Sequence, residues 1–464
     1  MGLGGTLRSL ARRWAPRRPD LPPETWGLGR DRKGALRLGP IALHDLLARH
    51  GSPLHVLDAA RLQSNAARFT STRCEVFYSY KTNPVPGVLR LLHGAGLGAE
   101  VVSPYELWLA LRLGVPPGRI VYNDPAKSDE SLELAISSGI ELINLGNRSE
   151  IRRAAAAARR VGRKARVGIR VVPPGNFGGQ FGESIESGAA LAAFAEAQRQ
   201  PDLDVVALHA HRNAHLDSLP QLDAFAGGLF RFADALRERL GLTLEIIDFG
   251  GNLPCQTIAP LSARERRLAF LLGCPPGPRS PGRVPSIEIY LARILELVAM
   301  QKRPPRRIFV EPGRAVTGDA QHLLARVLSV RPPDRNGISM ATLDAGLQVA
   351  DPLRCESHQI FALTPRDRAE RRIYRLLGPS CSIGDIVSPA AILPSLEPGD
   401  GLAVMDAGAY FVPFSTCFSF PRPAVISVSG SDVEVLRARE TFHDLVALDR
   451  ATLAARNLLV GAVQ

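Results

Sequence analysis

The sequence predicts an α/β protein: a (β/α)8 TIM barrel followed by a C-terminal all-β domain with the form of a sandwich or a barrel. Between residues 53 and 318, short apolar segments alternate with helical segments rich in Ala, Leu and Arg. Such alternation is typical of parallel strands that are joined by helices, and eight such strands can close a barrel. After residue 318 the helical segments give way to strands separated by turn residues, which indicates a second domain built from sheets.

The predicted domains follow one another in order along the chain. Residues 1–23 are rich in Pro and Arg, which is typical of a flexible basic tail. Residues 24–52 contain strand-like pieces and one helix, Ala42–His50, and we predict that this segment joins the β domain. Residues 53–318 form the barrel, and residues 319–464 form the β domain.

Each barrel strand is predicted from a short apolar run that turn residues or helical segments bound. The predicted strands are Glu75–Tyr80, Ala99–Val102, Ile120–Tyr122, Leu142–Asn144, Arg166–Val172, Asp204–His211, Leu244–Phe249 and Arg307–Val310. The predicted helices include Gly87–Gly94, Glu106–Leu113, Ser128–Ser138, Asn147–Val161, Leu219–Leu240 and Ile287–Met300. An open doubly wound sheet is the alternative, but no G-x-G-x-x-G dinucleotide fingerprint follows the first strand.

Residues 254–305 are longer than an ordinary crossover between two strands. The stretch from Gly273 to Gly282 is so rich in Pro and Gly that it cannot form a regular helix or strand. We therefore predict a surface loop inserted near the mouth of the barrel. In the β domain the predicted strands are Leu323–Val330, Met340–Asp344, Ile373–Leu377, Gly401–Met405 and Ala424–Val428.

Composition argues against several classes of protein. The sequence has no run of 18 or more apolar residues, so no membrane span is predicted. The formal charge of +12 comes largely from scattered arginines without a basic-aromatic RNA-binding motif, so a nucleic-acid partner is not predicted. The six cysteines show neither a C-x-x-C pair nor the spacing of a disulfide scaffold. This pattern indicates a reducing, cytoplasmic compartment.

Lys81 is the first candidate for chemistry, because it lies at the end of the first predicted barrel strand. A lysine at the end of a buried strand is unfavourable unless its amine is paired, chemically used or extended to the rim. The chain contains only five lysines against 52 arginines. An amine that can lose its proton is a function that arginine cannot supply.

Further polar residues lie at the carboxyl ends of other predicted strands, where barrels of this kind carry their active sites. They are Arg170, His209, His211, Asp248, Gly250, Gly251, Glu311, Gly313 and Arg314. A Gly-Gly turn allows backbone N–H groups to approach a phosphate, although it can also be only a tight turn. A pyridoxal phosphate site needs an amine, a charge partner for the ring nitrogen, a flat neighbour for the ring and a nest for the phosphate. These four are supplied, in that order, by Lys81, Glu311, His211 and Gly250-Gly251.

With these residues in this order, the chain resembles the fold-type III pyridoxal-phosphate decarboxylases. This family contains diaminopimelate decarboxylase and eukaryotic-type ornithine decarboxylase and has a barrel like that of alanine racemase. The resemblance extends from about Pro53 to Phe420. Its motifs are Tyr78-Ser79-Tyr80-Lys81-Thr82-Asn83, Ala99-Glu100-Val101-Val102-Ser103-Pro104-Tyr105-Glu106-Leu107, Phe181-Gly182, His209-Ala210-His211, Gly250-Gly251, Glu311-Pro312-Gly313-Arg314, Gly378-Pro379-Ser380-Cys381 with Asp385, and Asp406-Ala407-Gly408-Ala409-Tyr410. Each motif is short, and it is their order and spacing together that identify the family.

The resemblance implies pyridoxal 5'-phosphate as the cofactor, bound as a Schiff base to Lys81. It implies that His211 stacks on the cofactor ring and that Glu311 pairs with the ring nitrogen. The other implied cofactor-binding residues are Arg170, Gly250, Gly251, Asn252, Gly313, Arg314 and Tyr410. The implied substrate-binding residues are Arg314, Ser382 and Asp385, and no metal site is implied.

The resemblance also implies an obligate homodimer in which the loop that carries Cys381 completes the active site of the other subunit. In that position Cys381 would return a proton after carbon dioxide has left. The alternative for Cys381 is a small buried apolar residue, but the flanking Gly378-Pro379 and Asp385 favour the functional role.

Three departures from the family pattern bear on the phosphate and on the substrate. Where the family has a hydrophobic residue, Gly and a phosphate-binding Ser after the histidine, this chain has Arg212-Asn213-Ala214, and Asn252 replaces the third glycine of the phosphate turn. We predict that Arg212, Asn213 or Asn252 rebuilds the phosphate site. Ser382 stands where relatives carry Glu or Asp for the substrate.

The third departure is the segment Asp351–Cys355, which lacks the Arg and Tyr that hold the distal end of diaminopimelate. Asp351 or Glu356 either binds a distal amine of the substrate or is a solvated loop acid. The pattern resembles divergent branches of the family in siderophore, antibiotic and other secondary pathways, where a modified or carrier-linked amino acid is decarboxylated.

The sequence therefore predicts a pyridoxal phosphate-dependent decarboxylase of an amino acid or an amino-acid derivative, free or carrier-linked. We expect a cytoplasmic homodimer without a nucleic-acid or membrane partner. Two alternatives stay open. The first is an amino-acid racemase or epimerase of the same fold that uses Cys381 as a base. The second is a catalytically inactive regulatory homologue.

Overall fold

The centre of the molecule is a closed parallel barrel of eight strands. The computed structural model describes residues 20–176, 179–212, 216–253, 255–276, 284–364 and 370–449. The barrel strands are Glu75–Ser79, Gly98–Val101, Ile120–Tyr122, Leu142–Leu145, Ala165–Val172, Leu203–His209, Ile246–Asp248 and Arg307–Val310. Each strand pairs in parallel with its neighbours, and the eighth strand pairs with the first. The eight strands therefore form a closed ring. The predicted barrel is confirmed, and the open doubly wound alternative is wrong.

Helices surround the barrel and bury one face each against the strands. They are Ala59–Thr70, Pro86–Gly94, Pro104–Arg112, Asp129–Ser138, Arg148–Val161, Ala189–Gln198, Leu219–Leu240 and Ile287–Ala299. Local chemistry fixes their ends: Asn147, for example, accepts the backbone N–H of Glu150, and Gly162 ends the same helix with a φ of 72°. The helices Ala59–Thr70 and Ala189–Gln198 were not predicted. The second is rich in alanine and has little polar contrast between its faces, so periodicity gives a weak signal there.

The second domain consists mainly of strands. They are Gln321–Arg331, Ile338–Leu343, Glu356–Ser357, Ile360–Ala362, Arg371–Leu377, Ile386–Pro394, Gly401–Val404, Ala424–Ser429 and Asp432–Arg437, and they are accompanied by the short helix Phe442–Val446. An early segment of the chain, Leu54–Asp58, also belongs to this sheet, where it pairs with two of these strands. The chain therefore passes from the β domain into the barrel domain at Asp58, which caps the first barrel helix.

The N-terminal segment packs on the β domain through three short strands and one helix. These elements are Leu28–Arg30, Leu36–Leu38, Ile41–Ala42 and Leu43–His50. Leu36 N donates a hydrogen bond to the carbonyl of Leu363 at 2.7 Å. The indole N–H of buried Trp26 donates to Asp406 at 2.8 Å. Most of the predicted basic tail lies outside the described residues.

The insertion between residues 254 and 305 is more regular than we predicted. It contains the helix Ala263–Leu272, which begins with a capping box between Ser262 and Glu265. It also contains the strand Ala259–Pro260, which pairs antiparallel with Glu356–Ser357. Neither element was predicted, and both precede the stretch Gly273–Gly282 on which the surface loop was predicted. Residues 277–283 of the Pro-rich stretch lie outside the described residues.

Among the helices of the described ranges, none has both the length and the apolar character that a membrane span requires. All six cysteines are free thiols. The cytoplasmic location stays a prediction.

Candidate active site

Lys81 lies in a short 3-10 turn, Tyr80–Thr82, directly after the first barrel strand. Its Nζ is 2.9 Å from Oε2 and 3.3 Å from Oε1 of Glu100, which is on the second strand. The side chain of Lys81 is 34% exposed, whereas that of Glu100 is 1% exposed. The amine is thus held at the carboxyl end of the barrel, with a buried carboxylate on one side and an approach from solvent on the other.

The charge state of Lys81 follows from these neighbours. Burial disfavours the ammonium form, but Glu100, Tyr410 and Glu311 outweigh burial and raise the pKa of Lys81 above its usual value. The amine is therefore protonated at neutral pH, and it must transfer its proton before it can act as a nucleophile.

A chain of amides connects Glu100 with a second buried carboxylate, Glu311. The Asn123 amide donates to Glu100 Oε1 at 3.0 Å and to Glu311 Oε1 at 2.6 Å. Asn144 in turn donates to the side-chain oxygen of Asn123 at 2.8 Å. The Ser79 hydroxyl also donates to Glu100. The two carboxylates are therefore held in fixed positions by neutral donors.

Glu311 lies in a buried cluster with His209 and Asp248, whose side chains come from the sixth and seventh strands. His209 Nε2 is 3.5 Å from Glu311 Oε2, and ligand-type atoms of all three residues lie within 4.8 Å of one another. Burial and the nearby Glu311 raise the pKa of Asp248 above its usual value. Burial opposes the charge of Glu311, but His209 and Lys81 outweigh it and lower the pKa of Glu311. The cluster thus places the buried carboxylate of Glu311 at the carboxyl end of the barrel.

His211 follows the sixth strand and is held by the Gly250-Gly251 turn. Gly251 N donates to His211 Nδ1 at 3.2 Å. Burial, together with the positive charges of Lys81 and Arg170, lowers the pKa of His211 to about 3. The imidazole is therefore neutral at physiological pH.

The turn after the seventh strand leaves no room for side chains. A Cβ at Gly250 would lie 2.8 Å from the Ala210 carbonyl oxygen, and a Cβ at Gly251 would lie 2.5 Å from the Glu311 carbonyl oxygen. Gly250 N donates to Asp248 Oδ1 at 2.9 Å. Because the two glycine N–H groups bond within the protein, another donor is needed for an anion at this turn.

Asn252 offers that donor. It has a φ of 77°, a left-handed conformation that asparagine tolerates better than most residues. Its Nδ2 is buried and has no hydrogen-bond partner among the residues that the structure describes. Of the other two candidates, Arg212 donates to Gln221 Oε1 at 3.1 Å, and Asn213 lies outside the described residues.

Three further predicted residues surround the turn of Lys81. The Arg314 guanidinium lies 5.0 Å from the centre of the Tyr410 ring. Tyr410 N donates to the Thr82 carbonyl at 2.9 Å. Gly313 packs so closely on Thr82 that a Cβ would collide with its hydroxyl. A further predicted residue, Arg170, lies in the fifth strand with its guanidinium over a phenylalanine ring of the following loop.

The predicted residues Cys381, Ser382 and Asp385 belong to one loop of the β domain. Asp385 is buried and accepts hydrogen bonds from Leu347 N at 2.7 Å, Ser380 N at 3.0 Å and the Ser380 hydroxyl at 2.6 Å. It therefore shapes its own loop. Cys381 and Ser382 on that loop are exposed. Among the described residues, no hydrogen bond or ion pair joins this loop to Lys81.

Sequence reasoning did not select Glu100, Asn123 or Asn144 as site residues. One signal was available: all three are polar residues at the carboxyl ends of consecutive buried strands. A buried polar side chain in that position needs partners, and at the active end of a barrel it is a functional candidate.

Comparison with known proteins gives consistent results. Residues 58–318 match the family described as pyridoxal-dependent decarboxylase, pyridoxal binding domain. The chain is 31% identical over 441 residues to the diaminopimelate decarboxylase of Methanothermobacter thermautotrophicus, which covers 89% of this chain and 95% of the relative. A crystal structure of diaminopimelate decarboxylase from Methanocaldococcus jannaschii has a TM-score of 0.81 at 24% identity and covers 93% of this chain and 99% of that chain. The Helicobacter pylori enzyme in complex with L-lysine has a TM-score of 0.73 at 24% identity and covers 88% of this chain and 98% of that chain.

Proposed function

Because the chain belongs to the family of pyridoxal-dependent decarboxylases, we propose that it removes the carboxylate of an amino acid or an amino-acid derivative at the cluster around Lys81. The cofactor is pyridoxal phosphate, and the enzyme is a carboxy-lyase that acts on an amino acid. One observation carries the assignment of the site. The Lys81 amine lies against Glu100, and Asn123 connects Glu100 to the buried Glu311.

The residues around the turn fit the phosphate of this cofactor. A Cβ at Gly250 or Gly251 would collide with backbone carbonyl oxygens of the protein, so only glycine fits these two positions of the turn. Asn252 holds a buried amide without a partner, which is the type of donor that a phosphate needs. We assign the phosphate to this turn, with Asn252 as its side-chain donor.

Pyridoxal phosphate, when bound, supplies an aldehyde that condenses with amines and a ring that accepts the electrons of a broken carbon–carbon bond. Lys81 provides the amine of the protein. Glu100, 2.9 Å away, is positioned to accept the proton that this amine must lose. The same pair can return the proton when the product amine leaves.

Glu311 has the role of the charge partner for the ring nitrogen. It stays ionised because His209 and Lys81 lower its pKa. Asn123 fixes the position of its Oε1. A fixed negative charge in a buried site keeps a neighbouring ring N–H protonated and stabilises the charge that develops during decarboxylation. His211, which is neutral, can lie against the ring without adding a positive charge.

Cys381 is the proposed acid that protonates the product, and it acts from the partner subunit. Its loop is exposed in the β domain of its own chain, where Asp385 holds it in shape. We therefore propose a homodimer in which the Cys381 loop of each chain enters the barrel end of the other.

The decarboxylase assignment is tested by absorbance and gas release in the same sample. Protein reconstituted with pyridoxal phosphate is expected to show a visible cofactor band that shifts when a substrate from a panel of L- and D-amino acids is added, with release of carbon dioxide. A shift without gas release would favour the racemase alternative. No retained cofactor would contradict the assignment of the site and favour a regulatory role.

The shared active site is tested by mixing two inactive variants. In Lys81→Ala and Cys381→Ala the two defects lie on different subunits of the same site, so a hybrid dimer contains one intact site. Random exchange of subunits is expected to restore about a quarter of the wild-type activity. A mixture of Lys81→Ala with Glu311→Gln is the control, because both defects lie in the barrel and no intact site can form. Equal activity of the two mixtures would exclude the shared site.

A further inference from the structure

The insertion between residues 254 and 305 is connected to the candidate site through one short ribbon. Its strand Ala259–Pro260 pairs antiparallel with Glu356–Ser357. Leu261 N donates to the Cys355 carbonyl at 2.7 Å, and the Arg266 guanidinium donates to the Arg354 carbonyl. These contacts fix the segment on both sides of Glu356.

Glu356 forms a two-pronged ion pair with Arg314. One oxygen lies 2.9 Å from Nη1 and the other lies 2.8 Å from Nη2. The side chains of Glu356 and Arg314 are 14% and 13% exposed. A bidentate carboxylate uses the same fork of N–H donors that a carboxylate of a ligand would use. Arg314 is therefore already occupied by a carboxylate of the protein itself.

A second contact holds Glu356 in this position. His358 Nε2 lies 3.2 Å from Glu356 Oε2, and His358 Nδ1 lies 2.8 Å from the Met405 carbonyl oxygen. A carbonyl oxygen only accepts hydrogen bonds, so Nδ1 carries the proton of that contact. Burial opposes the charge of Glu356, but His358 and Arg314 outweigh burial and lower its pKa. Glu356 is thus a charged, fixed side chain.

The ion pair adjoins the turn that carries Lys81. Arg314 directly follows Gly313, which packs on Thr82, and its guanidinium lies over the ring of Tyr410. Tyr410 N in turn donates to the Thr82 carbonyl. A substrate whose α-amino group reaches Lys81 therefore has the Arg314–Glu356 pair within its surroundings.

We propose that Glu356 determines substrate specificity: by occupying Arg314 it excludes amino acids whose side chain ends in a carboxylate and admits those whose side chain ends in an amine or a neutral group. A second carboxylate would find the Arg314 guanidinium occupied and would be repelled by Glu356 in a partly buried site. The inserted segment contributes because it positions Glu356. This inference rests on the proposed decarboxylation at Lys81.

L-lysine and meso-diaminopimelate are suitable probes, because they differ only in a distal carboxylate. Binding is measured by calorimetry on holoenzyme reduced with borohydride, which cannot react, and turnover is measured by carbon dioxide release from the unreduced enzyme. The wild type is expected to prefer L-lysine by at least about tenfold. In Glu356→Gln the ratio of the two affinities is expected to shift toward diaminopimelate by about tenfold or more, and the same shift is expected in kcat/KM.

Two further variants test whether the shift in preference comes from the released Arg314 guanidinium. Adding Arg314→Gln to Glu356→Gln is expected to remove the gained affinity for diaminopimelate, because the freed guanidinium is lost. Asp223→Asn is the control for the loss of an ion pair, since Asp223 pairs with Arg293 on the outer helices at 2.8 and 2.9 Å. It is expected to leave the preference unchanged. If Glu356→Gln does not fold, Glu356→Ala replaces it.

The outcomes separate this inference from the function on which it rests. A wild type that releases carbon dioxide from diaminopimelate as readily as from L-lysine would overturn the role of Glu356 and leave the decarboxylase intact. An unchanged preference for L-lysine over diaminopimelate in Glu356→Gln would also overturn the role of Glu356 without contradicting the decarboxylase. A protein that binds L-lysine selectively but releases no carbon dioxide from any amino acid would support the specificity and contradict the proposed reaction.

Discussion

Replacement of Lys81 by Ala is expected to lower kcat for decarboxylation on the order of 10⁴-fold, as deletion of a covalent nucleophile does in other enzymes. The amine, held against Glu100, is the group that we expect to condense with the cofactor aldehyde. Its loss is also expected to remove covalent retention of pyridoxal phosphate. The measurements are carbon dioxide release and, after borohydride reduction, mass spectrometry of the peptide that carries residue 81.

Two control variants separate the chemistry of Lys81 from its charge. Lys81→Arg keeps a positive charge beside Glu100 but cannot provide a free amine, so it is expected to fold stably and to be as inactive as Lys81→Ala. Lys33→Ala removes an exposed lysine of the N-terminal segment and is expected to retain full activity. Substantial activity in Lys81→Arg, or a pyridoxyl group found on another lysine, would show that the site has been assigned to the wrong residue.

Replacement of Glu311 by Gln is expected to lower kcat by about 100-fold or more, with a KM that changes much less. The amide keeps an acceptor for Asn123, which now donates to Glu311 at 2.6 Å, so the packing is preserved. The substitution removes the negative charge of Glu311, which we expect to keep the ring nitrogen of the cofactor protonated. Steady-state kinetics measures this effect, and the absorbance of bound cofactor reports that the variant still binds pyridoxal phosphate.

A surface variant provides the matched control for Glu311→Gln. Glu288 forms an ion pair with Arg68 at the protein surface, and Glu288→Gln is expected to leave kcat unchanged. If Glu311→Gln kept the wild-type kcat while retaining the cofactor, Glu311 would not be the partner of the ring nitrogen. If it lost the cofactor altogether, its role would be in cofactor binding.

The barrel strands and the amine at the end of the first strand were predictable from the sequence. Each strand is a short apolar run, and residues at the ends of parallel strands must meet at one end of a barrel. The positions of Lys81, His211 and Glu311 around a common centre follow from that rule. The helix Ala189–Gln198 was not predicted, because it is rich in alanine and its two faces differ little in polarity.

The partners of the site residues were not predictable in the same way. Glu100 and Asn123 lie 19 and 42 residues from Lys81 in the chain, and their hydrogen bonds depend on the exact register of neighbouring strands. In the sequence, Asn252 is only a replacement for the third glycine of the phosphate turn. Its side-chain amide, which is buried and has no partner among the described residues, identifies it as a donor.

The sequence by itself determined the fold class and the family, because both depend on periodicity and on the order of short motifs. It also predicted that an amine, a carboxylate and an imidazole ring would meet at one end of the barrel. Only the tertiary structure decided which charged side chains of the site are paired within the protein and which can bind a ligand. Arg314 is paired with Glu356 of the β domain. The strand that contains Glu356 is held by its pairing with the inserted strand Ala259–Pro260. Pairing over such separations depends on three-dimensional packing, since no local pattern in a chain encodes which distant side chain will occupy a guanidinium.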